Sequence, residues 1–221
     1  FGCDDIGCSH FLNNTRTQYK MITLQEIINN RILILDGAMG TMIQQYGLDE
    51  HDFRGMRFTD QPGVMKGNND ILCLTRPDVI EDIHRKDLDA GADLITTCTF
   101  YSQRISMADY HVEEFCREIN LAAAKIARAL ADEYTKANPN KPRMVLGDIG
   151  PTNKTLSISP DVNDPALRAV TFDEMAEAYE EQIDALIDGG VDALLVETIF
   201  DTLNAKAAIY AAEKVMDAKG V

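Results

Sequence analysis

Four short apolar runs, separated by long amphipathic stretches, most constrain how this chain can fold. None of the runs alternates apolar and polar residues, so they are typical of strands buried on both faces of a parallel sheet. They begin roughly 50–60 residues apart, and a nearly regular repeat of this size indicates alternating strands and helices. The four predicted strands are Ile32–Leu35, Leu94–Thr97, Met144–Leu146 and Ala193–Val196.

The stretches between these runs have the spacing of amphipathic helices. Two of them end in related phrases, DAGADLI at 89–95 and DGGVDAL at 188–194, each with a glycine suited to the end of a helix. Pro77 suits the first turn of one helix, and Thr171 suits the N-cap of another. The predicted helices are Pro77–Ala90, Val112–Tyr134, Phe172–Asp188 and Leu203–Ala218.

This pattern predicts the α/β class. A doubly wound sheet and a (β/α)8 TIM barrel both fit, and the two repeated phrases favour the barrel, of which about the first four βα units are present. We therefore expect a chain truncated at its C-terminal side, with residues 21–221 forming the N-terminal part of the barrel. Residues 1–20 have no clear periodicity, and we interpret them as a leader or a non-native extension.

Charge and composition exclude several classes of protein. The formal net charge is −15, and an acidic surface without a basic stripe disfavours nucleic-acid binding. No apolar run is long enough for a membrane-spanning helix. The five cysteines have an odd count and irregular spacing, which favours reduced thiols in a cytoplasmic protein. We expect Cys98 to be a packing thiol, and His51 and His84 to lie at the surface.

Candidate site residues follow the predicted strands, because reactive groups of βα barrels lie at the C-terminal ends of strands. Asp36, Gly37, Ala38 and Met39 follow the first strand, where glycine lets backbone N–H groups approach a ligand. The alternative is a tight turn with Asp36 as a helix cap. Glu197 directly follows the fourth strand, where it can pair with a substrate ammonium group or serve as a base. Its alternative is a structural hydrogen bond to a neighbouring loop.

Together these groups predict a pocket with N–H donors on one side and carboxylates on another. Such a pocket suits a zwitterionic amino acid. The chain lacks the clustered lysines and arginines expected around a phosphorylated substrate.

Several long phrases, in order, carry a resemblance to a known family. They are LILDGAMGTMIQ (33–44), GNNDILCLTRPDVI (67–80), GADLITTCTF (91–100), MADYHVEEFCREINLAAAKIAR (107–128), GPTNKTLSISPDVNDP (150–165) and LLVETIFDTLNAKAA (194–208). With these phrases, residues 21–221 resemble the N-terminal homocysteine-binding barrel of cobalamin-dependent methionine synthase.

The resemblance implies a TIM barrel that binds homocysteine together with zinc, which lowers the pKa of the substrate thiol. It implies a methyl group delivered by methylcobalamin, which 5-methyltetrahydrofolate recharges on another module. Residues 36–39 would bind the amino-acid end of homocysteine, and Glu197 its ammonium group. Thr97 and Phe100 would line the pocket.

The chain also departs from this family. The phrases that carry the three zinc-binding cysteines are absent, as are the folate- and cobalamin-binding modules, so the resemblance assigns zinc and cobalamin to the full-length protein. We therefore expect residues 1–221 alone to lack turnover. Thr96 and Cys98 depart from the ETNTF phrase of many relatives. Two alternatives remain: a cobalamin-independent homocysteine S-methyltransferase that uses a sulfonium or betaine donor, and a non-catalytic half-barrel fragment.

Overall fold

Three parallel strands form the sheet in a computed structural model that describes residues 24–221. The strands β1 (Leu94–Thr96), β2 (Met144–Ile149) and β3 (Ala193–Val196) pair in the order β1-β2-β3. This sheet confirms the α/β prediction and three of the four strands. Strand β2 is buried along its whole length, whereas β3 is half-buried because it pairs with β2 alone among the described residues.

The first predicted strand is shorter than expected. Of residues 32–35, only Leu35 forms a parallel bridge, to Leu94 at the start of β1. Ile32 is 88% exposed, and no described strand lies on its outer side. The direction and position of the first strand are therefore as predicted, while its ladder is reduced to one bridge.

The helices alternate with the strands along the chain in the predicted order. The helix at 77–90 has the predicted bounds, and the Thr171 side chain forms a capping box with Glu174 as expected of an N-cap. The helix predicted from Val112 starts later, because a 3-10 turn occupies 113–115. In chain order the helices are α1 Leu24–Ile28, α2 Met39–Gln44, α3 Glu50–Arg54, α4 Leu72–Thr75, α5 Pro77–Ala90, α6 Arg104–Met107, α7 Cys116–Ala137, α8 Phe172–Gly189 and α9 Thr202–Lys219, with 3-10 turns at Asn69–Ile71, Ala108–Tyr110 and Glu113–Phe115.

By its internal contacts the chain divides after Arg31 into a short unit, which contains α1, and a unit spanning Ile32–Val221, which contains the sheet. The leader predicted at 1–20 lies outside the described residues. Within residues 24–221, none of the helices combines the length and apolar character needed to cross a membrane.

The two repeated phrases form the same structure at the N-terminal edge of the sheet. Gly91 and Gly190 end their helices in the left-handed conformation, which glycine adopts without strain. Two residues later, the Asp93 N–H donates to the Ile34 carbonyl, and its carboxylate accepts from the Ile34 N–H at 2.9 Å. Asp192 forms the same reciprocal pair with Val145, at 2.8 and 2.7 Å. We call these two pairs the aspartate clamps.

The core lies between the sheet and its helices. Ile95 and Val145 pack beneath α5 and α7, and Ile149 packs beneath α8. Helices α7 and α8 approach closely at Gly189, where an added Cβ would lie 2.3 Å from the Cβ of Ala124. A side chain at Gly189 would force these helices apart.

The position of His84 corrects the sequence analysis. It was expected at the surface, but its side chain on α5 is 0% exposed, and neither ring nitrogen has a hydrogen-bond partner among the described residues. The helical spacing explains the error, since His84 follows the core residue Ile83 and precedes Leu88 by one turn on the buried face. Burial lowers the pKa of His84 to about 4.

His84 predicts a loss of stability in acid. Because the folded pKa lies below the ordinary value of 6.5, the unfolded chain binds the proton more readily, and stability is lost as the pH falls through this range. We expect the free energy of unfolding of the wild type, relative to His84→Leu, to fall by about 2 kcal/mol between about pH 7 and pH 5. Urea unfolding of both proteins across this range measures the difference. A constant difference would show that the buried ring does not resist protonation.

Candidate functional site

The candidate site lies where the parallel strands end, at the C-terminal edge of the sheet. Asp36 sits here because the Leu35 bridge aligns the first segment with β1, and the Asp36 N–H donates to the Leu94 carbonyl at 3.0 Å. The Asp36 carboxylate accepts from the Thr96 N–H at 2.7 Å and from the Thr96 hydroxyl at 3.1 Å. Asp36 therefore binds β1, and the N-cap of α2 is Ala38 instead.

The pKa of Asp36 depends on its burial and on the charge of Glu197 at the same edge of the sheet. Burial raises the pKa of Asp36 to about 7, although the two hydrogen bonds from Thr96 oppose the shift. The nearby carboxylates of Asp87 and Glu197 raise the pKa of Asp36 further. The site thus brings together two of the predicted residues, Asp36 and Glu197, as like charges.

A third carboxylate, that of Asp148, joins them and was missed as a candidate. Asp148 lies within β2, one residue before its end, and is 6% exposed. Its Oδ1 atom has no hydrogen-bond partner among the described residues. Burial, followed by the charge of Glu197, raises the pKa of Asp148 to about 9. The sequence does contain a signal for this site residue, because Asp148 is a charged residue within an otherwise apolar strand.

Thr97 holds the backbone beneath this carboxylate. Its hydroxyl accepts from the Asp148 N–H at 2.9 Å and pairs with the Thr99 hydroxyl at 2.7 Å. The Thr99 hydroxyl in turn donates to the Asp148 carbonyl at 2.7 Å. Thr97 is 2% exposed. The structure therefore places Thr97 beside the site, with its hydroxyl engaged in joining β1 to β2.

The loop after the first segment offers backbone donors. Gly37 and Ala38 are exposed, and Met39 is half-buried at the start of α2. Among the described residues, none accepts a hydrogen bond from the N–H groups of Gly37, Ala38 or Met39. These three N–H groups can therefore donate to an acceptor, and the binding of a carboxylate by this loop stays a prediction.

Glu197 is half-buried directly after β3, and its N–H donates to the Ile149 carbonyl at 3.1 Å. The next residue, Thr198, has a φ of 54°. A β-branched residue rarely adopts this conformation, and such strain concentrates at functional sites. The chain therefore turns sharply at Thr198, immediately after it has placed Glu197 at the edge.

The loops after β1 and β2 pack directly against each other at this edge. A Cβ added at Gly150 would lie 2.3 Å from the Phe100 carbonyl oxygen and 2.8 Å from its ring. Asp70 holds the same loop from the other side, accepting from the Tyr101 N–H at 2.7 Å and the Ser102 hydroxyl at 2.8 Å. Phe100, predicted to line the pocket, is thus fixed against the β2 loop.

The described cysteines are packing thiols, as expected for Cys98. Cys73, Cys98 and Cys116 are all buried and free. Burial raises the pKa of the Cys116 thiol to about 12, and contact with Cys73 and burial raise the pKa of Cys98. Thiols held in the protonated form are poor metal ligands. Within residues 24–221 no group of three or more histidine, cysteine or acidic side chains could hold a metal ion.

Comparison with known proteins decides the family. The family model for homocysteine S-methyltransferase matches residues 33–219, which include every strand and all the site residues above. The chain belongs to the homocysteine S-methyltransferase family. The match begins at Leu33, just before the bridged segment, so the family region coincides with the larger structural unit.

Solved structures with low sequence identity to this homocysteine S-methyltransferase domain share its fold. The homocysteine methyltransferase MmuM from Escherichia coli, in its metallated form, superposes with a TM-score of 0.65 at 20% sequence identity. Its oxidised form gives a TM-score of 0.64 at the same identity. The alignments cover 89% and 88% of this chain, but only 63% and 61% of those chains. The chain thus spans under two thirds of the length of these structures.

Proposed function

We propose that this chain forms the first four βα units of a (β/α)8 barrel and binds homocysteine as part of a methionine synthase. In this proposal, methyl transfer from methylcobalamin to the homocysteine thiolate yields methionine, and 5-methyltetrahydrofolate recharges the cobalamin. The folate- and cobalamin-binding modules would be further partners in the same polypeptide. The family match and the resemblance of the 67–80 and 150–165 phrases support this assignment.

The observation that carries the proposal is the polarity of the sheet edge. The unengaged N–H groups of residues 37–39 suit the substrate carboxylate, and the carboxylate of Glu197 suits the substrate ammonium group. No lysine or arginine of the described residues forms an ion pair with Asp36, Asp148 or Glu197. A free amino acid fits this arrangement, because it brings one charge of each sign.

The described cysteines do not fit the zinc that the family resemblance implies. Cys73, Cys98 and Cys116 are buried and free, and the described residues contain no group of three or more side chains that could hold a metal ion. The proposal therefore places the zinc ligands, like the cobalamin module, in other parts of the full-length protein. The role of the present residues is to bind and orient the amino-acid end of the substrate.

Glu197→Gln tests this role. The substitution removes the negative charge while keeping the size of the side chain, so the substrate ammonium loses a charge-assisted hydrogen bond. We expect the Kd for L-homocysteine to rise about 10- to 100-fold, measured by isothermal titration calorimetry under reducing conditions.

Glu213→Gln is the matched control, because Glu213 is exposed on α9, away from the strand ends. Its Kd should equal that of the wild type. If Glu197→Gln binds homocysteine as tightly as the control, Glu197 does not hold the ammonium group. If the wild type itself does not bind homocysteine, the proposed function fails.

A second candidate is a cobalamin-independent homocysteine S-methyltransferase with a sulfonium or betaine donor. The superposition on MmuM supports this second candidate, since that protein is a homocysteine methyltransferase with the same fold. The two candidates differ in the methyl donor. Isotopically labelled methyl groups, supplied to the full-length protein in parallel on methylcobalamin, on a methylsulfonium compound and on a betaine, identify the donor by the label recovered in methionine.

A further inference from the structure

Asp148 and Glu197 lie on the same face of adjoining strands. In the β2–β3 register Asp148 is opposite Leu195, and Glu197 follows two residues later, so alternation along the strand puts both carboxylates on one side. Gly147 faces the other side, where an added Cβ would contact Leu186 of α8 at 3.2 Å. The two carboxylates therefore share the face away from the helix layer.

The surroundings of Asp148 supply no donor for its free oxygen. Oδ1 is buried and unpartnered among the described residues, and Glu197 is the carboxylate next to it on the same face of the sheet, after the adjoining strand. Two ionised carboxylates cannot form a hydrogen bond, because neither carries a hydrogen. One proton held between them would complete this bond and reduce the pair to a single negative charge.

We propose that Asp148 and Glu197 share one proton in the free protein and release it when the ammonium group of the substrate binds between them. This inference rests on the proposed function, since it requires a ligand with an ammonium group. Asp148 is then a positioning residue, which keeps Glu197 hydrogen-bonded and oriented until the substrate arrives.

The proton balance of the step is simple. Before binding, the O–H of one carboxyl group donates to the other, which is ionised. The ammonium group then donates to both carboxylates, and the displaced proton passes to solvent. No covalent bond of the substrate changes, and one proton is released for each ligand bound.

The groups that face Asp148 all favour this protonated state. The carboxylates of Glu197, Asp70 and Asp36 are its charged neighbours, and each raises the pKa of Asp148, together with burial. Thr97 and Thr99 contact only its backbone, as does Gln182 through its amide. Among the described residues no cation offsets these charges, so a ligand cation would be the first to enter the cluster.

Calorimetry in buffers with different ionisation enthalpies measures the released proton directly. At about pH 7 we expect the enthalpy of L-homocysteine binding by the 221-residue chain to depend on the buffer, with a slope near one proton released. In Asp148→Asn the amide replaces the shared proton as donor to Glu197, so the slope should fall to near zero. Asp217→Asn, an exposed substitution at the far end of α9, should keep the wild-type slope.

The outcomes separate this inference from the proposed function. Binding with no buffer dependence in the wild type, or an unchanged slope in Asp148→Asn, overturns the shared proton while homocysteine binding stands. An absence of binding overturns the proposed function. In that case infrared spectroscopy still tests the pair: the carbonyl band of a protonated carboxylic acid at about pH 7 should weaken in Asp148→Asn. An unchanged band would contradict the inference.

Discussion

Gly150→Ala is expected to lower the free energy of unfolding by about 3 kcal/mol or more. The added Cβ would lie 2.3 Å from the Phe100 carbonyl oxygen, well inside contact distance, and 2.8 Å from the Phe100 ring. The nearest obstacle is backbone, so a change of side-chain rotamer cannot relieve the clash. The loops after β1 and β2 would have to separate, which also disturbs the hydrogen bonds that join Thr97 and Thr99 to Asp148.

Urea unfolding followed by circular dichroism measures this loss. Gly37→Ala is the matched control, because a Cβ at Gly37 would meet nothing closer than 4.0 Å and its φ is not in the left-handed region. The control should change the stability by less than about 1 kcal/mol. Equal stability of the two variants would show that the β1 and β2 loops do not pack as closely as described.

Asp148→Asn is expected to stabilise the chain in alkaline solution, by at least about 3 kcal/mol at about pH 9. The pKa of Asp148 is raised in the folded state, so this group favours folding at low pH and that contribution is lost as the pH rises from about 4 to about 9. Asparagine carries no charge at any pH and retains the shape of the side chain. The two proteins should therefore be nearly equal in stability near pH 4 and diverge as the pH rises.

Chemical unfolding at several pH values gives this difference. Asp217→Asn should parallel the wild type throughout, because Asp217 is exposed. A difference between Asp148→Asn and wild type that stays constant with pH would contradict the raised pKa. A variant less stable than the wild type in alkali would show that the ionised Asp148 has a stabilising partner.

The sequence predicted the features that depend on local pattern. Helix α5 has the predicted bounds because Pro77 fixes its start and Gly91 its end. The site at 36–39 and Glu197 was predicted because strand ends converge in parallel sheets. The reduced first strand was not predictable, because the extent of a ladder depends on neighbouring strands, which a single apolar run does not specify.

Asp148 and His84 show why the rest was missed. Asp148 was not predicted as a site residue, because its environment depends on Glu197, which follows a strand some fifty residues away. His84 was placed at the surface because histidine is polar, although its helical position already put it on the buried face. In both cases long-range packing determined the environment of an ionisable group.

The aspartate clamps have a consequence for how this domain tolerates change. Each clamp fixes the alignment of two neighbouring strands through hydrogen bonds at their beginnings, using residues of one short phrase. The register of these strands therefore does not depend on residues at their C-terminal ends. Loops there can lengthen, shorten or exchange residues while the strands stay in step, and new ligand specificities can arise at one end of the sheet without refolding the other.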